Sequence, residues 1–195
     1  MKRRIRRMSF LLTMVTLVAA SPAHVLKSAL SVSAKLPADL DRGSSTAAQE
    51  SFDPASYYRL TTQWQGDGKS LDVVNDGKNN WLVLARTDNV SGQFWKITSA
   101  GGGYYRLTTQ WQGKGKSLDI VNDGKNNQPI LALTANVSGQ LWKITPQGNG
   151  YYRLTTQWQG DGKSLDVVND GKNDQLVLAK TDNVSGQAWK ITKIE

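Results

Sequence analysis

Three aspartates stand between apolar neighbours: Asp72 between Leu71 and Val73, Asp119 between Leu118 and Ile120, and Asp166 between Leu165 and Val167. Aspartate is disfavoured inside strands, so each placement points to a ligand-facing role or to a hydrogen bond with the adjacent turn. Each copy of the surrounding text also carries a tryptophan beside a glycine turn and asparagines in a second turn. The sets are Trp64, Asp72, Asn75 and Asn79; Trp111, Asp119, Asn122 and Asn126; and Trp158, Asp166, Asn169 and Asn173. An aromatic platform suits the C–H face of a pyranose ring, and carboxylate and carboxamide groups suit its hydroxyls. That is the chemistry of carbohydrate recognition. The competing reading is purely architectural: the tryptophans cap the end of a barrel, and the Asn-Asp-Gly groups make turns.

Other chemistries are poorly supplied. The chain has no cysteine and one histidine, His24, which lies outside the repeated text. Nucleophilic and acid–base machinery is therefore thin, and an enzyme is not expected. Scattered Asp and Asn without EF-hand spacing give no metal site, and no cofactor is implied. The formal charge is +8, but Lys2, Arg3, Arg4, Arg6 and Arg7 supply five of those charges, and eight less five leaves +3. With no basic stripe beyond the leader, nucleic acid is not an expected partner.

The positioning elements come from a unit written three times. Tyr57–Thr98, Tyr104–Thr145 and Tyr151–Thr192 are evenly spaced, 47 residues apart. The first and third copies differ only at Asn80/Asp174, Trp81/Gln175, Arg86/Lys180 and Phe94/Ala188; the second is the most diverged, with Lys114 for Asp67 and Pro129 for Leu82. Each unit reads as four short strands: Tyr58–Thr62, Ser70–Val74, Leu82–Ala85 and Gln93–Thr98 in the first, separated by Gly- and Asn-rich turns.

Period-two geometry assigns a core of Leu60, Leu71, Val73, Leu82, Leu84, Trp95 and Ile97 in the first unit. Leu118, Ile120, Leu131, Trp142 and Ile144 follow in the second, and Leu165, Val167, Leu176, Leu178, Trp189 and Ile191 in the third. One such unit cannot cover its apolar face, so the three must share an interior. Three units of four strands predict an all-β fold, a β-trefoil of about twelve strands; a propeller with three blades falls below the usual minimum of about four.

Upstream, residues 1–23 combine a basic start, an apolar run from Phe10 to Ala20 and small residues at Ala20 and Ala23. This is the pattern of a secretory signal peptide, and the run is short of the roughly 20 apolar residues of a membrane span. Export, with no stable membrane insertion after removal of the signal, is the expectation. Residues 24–56, rich in Ser, Ala, Lys and Asp, read as a flexible spacer. The repeat domain then occupies 57–195, as units 57–103, 104–150 and 151–195.

Late in each unit stands Gln-x-Trp: Gln93-Phe94-Trp95, Gln140-Leu141-Trp142 and Gln187-Ala188-Trp189. Each follows a Leu-Asp-Val/Ile strand, and this pairing resembles the ricin B-type lectin family of β-trefoils. The resemblance implies structural roles for Gln93, Trp95, Gln140, Trp142, Gln187 and Trp189, with Trp in the core and Gln tying loops together. It also implies a sugar-gripping role for Asp72, Asp119 and Asp166. The family's stacking aromatic falls on Ala85, Ala132 and Ala179, and its assisting Asn on Gly92, Gly139 and Gly186. Any platform here must therefore come from other residues. The resemblance makes glycans the expected partners. A protein-interaction trefoil, such as a secreted protease inhibitor, is the alternative. Its functional loop would differ between repeats, whereas nearly identical loops favour a repeated ligand bound with avidity.

Overall fold

A computed structural model of the chain describes residues 51–194. The segment expected to be a signal peptide and the expected spacer up to residue 50 lie outside the described residues. The first repeat forms β1 (Tyr57–Thr62), β2 (Lys69–Val73), β3 (Leu82–Arg86) and β4 (Trp95–Gly101). The second forms β5 (Tyr104–Thr109), β6 (Lys116–Ile120), β7 (Pro129–Leu133) and β8 (Trp142–Gly148). The third forms β9 (Tyr151–Thr156), β10 (Lys163–Val167), β11 (Leu176–Lys180) and β12 (Trp189–Ile194).

The outer strands of each unit, β1, β4, β5, β8, β9 and β12, close into one six-stranded barrel, and three two-stranded hairpins, β2–β3, β6–β7 and β10–β11, accompany it. Closure is made by the first and last strands, whose register runs from Tyr57 opposite Ile194 to Thr62 opposite Trp189. The domain is a β-trefoil, as the repeat arithmetic requires.

The interior is the shared one. Trp95, Trp142 and Trp189 have no exposed surface, and Leu60, Leu107 and Leu154 fill equivalent buried places on β1, β5 and β9. Each tryptophan also satisfies its indole N–H, which donates to Leu71, Leu118 or Leu165 C=O at 2.8–2.9 Å. A buried indole thus costs no orphaned donor. Every residue assigned to the core from the sequence is buried except Ile191, which is half-buried within the last strand.

The hairpins are stitched across the repeat boundaries. Leu84 N–H donates to Asp174 C=O, Leu131 to Asn80, and Leu178 to Asn127, at 2.6–2.8 Å. Lys116 Nζ reaches Lys78 and Asn79 C=O, and Lys69 Nζ reaches Lys172 and Asn173 C=O. Ion pairs repeat the pattern at two junctions, Lys143–Asp161 at 3.0 Å and Lys190–Asp67 at 2.8 Å. Lys114 occupies the corresponding position in the second copy, so the junction of the first two repeats lacks this pair. Exposed pairs of this kind contribute only about 0–1 kcal/mol; backbone pairing and the core close the ring.

The last residues assigned to the spacer are packed rather than loose. Phe52 sits edge-on to Tyr58, Tyr105 and Tyr152, with ring centroids 5.4, 5.4 and 6.2 Å away. A place among three equivalent side chains holds one ring, which a triplicated unit cannot supply once per copy. It comes from outside the repeats.

Asp53 anchors this plug. Its N–H donates to Tyr58 Oη at 2.7 Å. Its carboxylate accepts from Ser56 Oγ, Ala55 N–H and Lys193 Nζ. Those bonds, Ser56 first, lower its pKa from 3.8 to about 2. A folded-state pKa below the unfolded one means stabilisation that is full above 3.8 and lost as the pH falls through about 2. Asp53→Asn is therefore expected to lower the urea midpoint at neutral pH, with the gap to the parent chain closing in acid. A gap independent of pH would show that the carboxylate charge does not hold the plug.

Candidate functional site

The second strand of each unit alternates as expected. Leu71 and Val73 are buried, and Asp72 between them faces outward, half-exposed. Asp72 Oδ1 accepts the N–H of Val73 at 2.7 Å, and Oδ2 accepts Gln93 Nε2 at 3.0 Å. Both amide hydrogens of Gln93 are used: Nε2 also donates to Arg86 C=O at 2.8 Å, and Oε1 accepts Asp88 N–H at 2.9 Å. Gln140 and Gln187 bond Asp119 and Asp166 in the same way at 3.0 Å. The Gln of each Gln-x-Trp motif thus ties a loop and also aims a carboxylate. An ionised carboxylate accepts about four hydrogen bonds. Two acceptor directions on each aspartate remain for a ligand.

Glycine at the position before Gln has a steric cause. A methyl group on Gly92 would overlap Asp72 Oδ1, and the same holds for Gly139 against Asp119 and Gly186 against Asp166. With the aspartate in this rotamer no side chain fits there. An asparagine there, as the family pattern has it, would require the carboxylate to move from this position.

Each aspartate opens into a cavity, and the cavities are built across repeats. Asp72, Asn75, Ala85, Val90 and Gly92 of the first copy line one of about 560 Å³ together with Trp111 of the second. Asp119, Asn122 and Val137 share one of about 440 Å³ with Trp158 of the third. Asp166, Asn169 and Val184 share one of about 370 Å³ with Trp64 of the first. The sequence grouping of Trp64 with Asp72, Trp111 with Asp119 and Trp158 with Asp166 is therefore corrected by one repeat.

Backbone pairing explains the correction. Trp111 N–H donates to Ser91 C=O, Trp158 to Ser138 and Trp64 to Ser185, at 3.2–3.3 Å. Each bond docks the turn after one repeat's first strand onto the loop of the repeat before it. The indole then walls the pocket where Ala85 leaves room in the first copy.

Asn79, Asn126 and Asn173 are not brought into these pockets. They adopt left-handed backbone angles, φ 54°, 53° and 56°, at which Asn is tolerated better than most residues. Their side chains accept Gly77, Gly124 and Gly171 N–H. The Asp of each Asn-Asp-Gly accepts the following amides, Asp76 from Lys78 and Asn79 for example. These residues make the turn, as the architectural reading had it. Asn75, Asn122 and Asn169 do line the pockets.

Sequence reasoning missed the apolar side of the site. Val90, Val137 and Val184 are 42–45% exposed and line the three cavities. Their signal was a β-branched residue kept in a loop in every copy. Each pocket thus offers an oriented carboxylate, an exposed carboxamide and two apolar walls. Among the described residues no cluster of His, Cys, Asp and Glu could hold a metal ion.

A closed trefoil with a Gln-braced aspartate at every repeat boundary defines a class of repeat proteins with three like pockets. Residues 93–179 match the family described as ricin-type β-trefoil lectin domain-like. Among solved structures, the chain is similar to the designed three-fold symmetric protein ThreeFoil. Identity there is 26% and the TM-score 0.61, covering 71% of this chain and 99% of that one. It is also similar to 1,3Gal43A, an exo-β-1,3-galactanase from Clostridium thermocellum. Identity is 25% and the TM-score 0.61, over 74% of this chain and 32% of that one. SeviL, solved bound to the asialo-GM1 saccharide, shares the fold at 20% identity and TM-score 0.54, over 72% of this chain and 98% of that one. Among curated proteins, no sequence matches.

Proposed function

We propose that this chain is a secreted, non-catalytic carbohydrate-binding protein, multivalent through three like pockets. The observation that carries the reading is the threefold recurrence of a carboxylate, held by Gln93, Gln140 or Gln187, facing a tryptophan from the next repeat. The carboxylate grips vicinal hydroxyls, Asn75 and its counterparts add a donor and an acceptor, and the indole and valine walls take the apolar face of the ring. The lining residues carry no cationic group, so a neutral sugar fits better than an acidic one. Three weak sites on one rigid body gain by avidity on a glycan-coated surface. Two proteins of the same fold that engage carbohydrate, SeviL with its bound asialo-GM1 saccharide and the exo-β-1,3-galactanase 1,3Gal43A, support this reading. Secretion rests on the leader pattern of residues 1–23.

The test is a glycan array with the mature chain and its Asp72/Asp119/Asp166→Ala variant. Gln93 Nε2 keeps Arg86 C=O as a partner in that variant, so the fold should survive. Neutral-sugar retention lost in the variant, with the β spectrum intact, is the expected result. Retention unchanged in the variant would place the sugar elsewhere. An empty array beside tight inhibition of a protease would reverse the assignment.

A further inference from the structure

One cavity breaks the threefold pattern. It measures about 260 Å³ and is lined by Gln63, Gln147, Asn149, Tyr151, Arg153 and Asn183, with Ala188 in its wall. None of its lining residues is acidic. Position 188 is one of only four at which the first and third copies differ, and its counterparts are Phe94 and Leu141. In the first copy the Phe94 ring lies 5.8 Å from the Arg59 guanidinium and covers it. In the third copy the alanine leaves that space open.

Arg153 is then only partly used. One terminal nitrogen, Nη2, donates to Asp182 C=O at 2.9 Å, while Nε is buried with no hydrogen-bond partner. Arg59 Nε is likewise unpartnered, but beneath an aromatic ring and beside Asn89, whose Oδ1 accepts from Nη2 at 3.3 Å. The remaining walls of the third-copy cavity also belong to that copy's surroundings. Gln147 and Asn149 come from the β8–β9 hairpin, whose counterpart between β4 and β5 reads Ala100-Gly101-Gly102-Gly103.

The geometry points to a fourth, non-equivalent site that takes the carboxylate of a sugar acid, with Arg153 as the anion-binding residue. A guanidinium matches a carboxylate in shape and charge and forms stronger hydrogen bonds with it than with a neutral group. Three carboxamides from Gln147, Asn149 and Asn183, with the Tyr151 phenol, suit the ring hydroxyls. The volume suits a single monosaccharide unit better than a chain. This site does not depend on the Asp/Trp pockets, although Val184 and Ser185 line both it and the Asp166 pocket.

The experiment is a titration of isotope-labelled chain with D-glucuronate, followed by amide shifts, beside D-glucose and acetate as controls. Saturating shifts at residues 147–153 and 183–188 are expected with glucuronate. Ala188→Phe, which installs the residue the first copy carries at this place, should lower the affinity about tenfold or more. Arg153→Gln, which removes the charge, should do the same without filling the cavity. Neutral-sugar responses at Asp72 and Asp119 should persist in both variants, so failure here is separable from failure of the three like pockets. No shift with glucuronate overturns the site, as does equal binding of glucose or acetate, or unchanged affinity in both variants.

Discussion

Trp111→Ala is expected to silence the pocket that contains Asp72 and to spare the one that contains Asp119. Trp111 lies in the turn two residues past Thr109, the end of the second repeat's first strand, yet it walls the first repeat's cavity and is docked there by its N–H bond to Ser91 C=O. Losing an aromatic platform removes on the order of 0.5–1.5 kcal/mol beyond area burial. With the lost area added, per-site affinity should fall about tenfold or more. Saccharide-induced amide shifts should vanish at Asp72 and Asn75 and remain at Asp119 and Asn122. The opposite pattern would mean that each tryptophan serves its own repeat, and the cross-repeat site would be wrong. On a surface the loss of one site should weaken retention more than a third, because avidity compounds across sites.

Trp142→Ala should destabilise the whole domain and not one unit. The side chain has no exposed surface, and its indole N–H bonds Leu118 C=O at 2.9 Å. Emptying such a site typically costs about 3–5 kcal/mol, and the freed carbonyl adds the penalty of a buried acceptor without a donor. Trp142→Phe keeps most of the ring volume and should lose chiefly the hydrogen-bond part, about 1–3 kcal/mol. Urea unfolding followed by circular dichroism and by tryptophan fluorescence should show a single coincident transition for both variants, displaced to lower urea. Two transitions, with two repeats melting as in the parent chain, would show units that stand alone.

Much of the architecture was legible in the sequence. A 47-residue period with strand-like alternation and two tryptophans per unit at the same phases leaves few closed arrangements. Leu71, Val73 and Trp95 were readable as core because side-chain direction in a strand follows from position alone. The outward aspartate was readable for the same reason, whereas its brace by the motif's Gln appeared only in the folded chain.

Other features were not legible, and the cause is common to them. Phe52 looked like spacer because its value comes from three tyrosines that are adjacent to one another only in the closed barrel. Asn79 looked like a ligand residue because a turn's internal bonds, here Asn79 Oδ1 with Gly77 N–H, leave no mark on residue type. Ala188 was one of four differences between the first and third copies, and residue type alone did not show that it lines a cavity beside Arg153.

The amino-acid order alone determined that three equal units fold around one interior and which face of each strand looks inward. These properties depend on local periodicity and on the area one unit can hide. Only the folded chain decided which tryptophan meets which aspartate. That partnership depends on how neighbouring units dock around the ring, through backbone bonds such as Trp64 to Ser185 that join opposite ends of the domain. Spacing along a chain carries no information about contacts that closure creates.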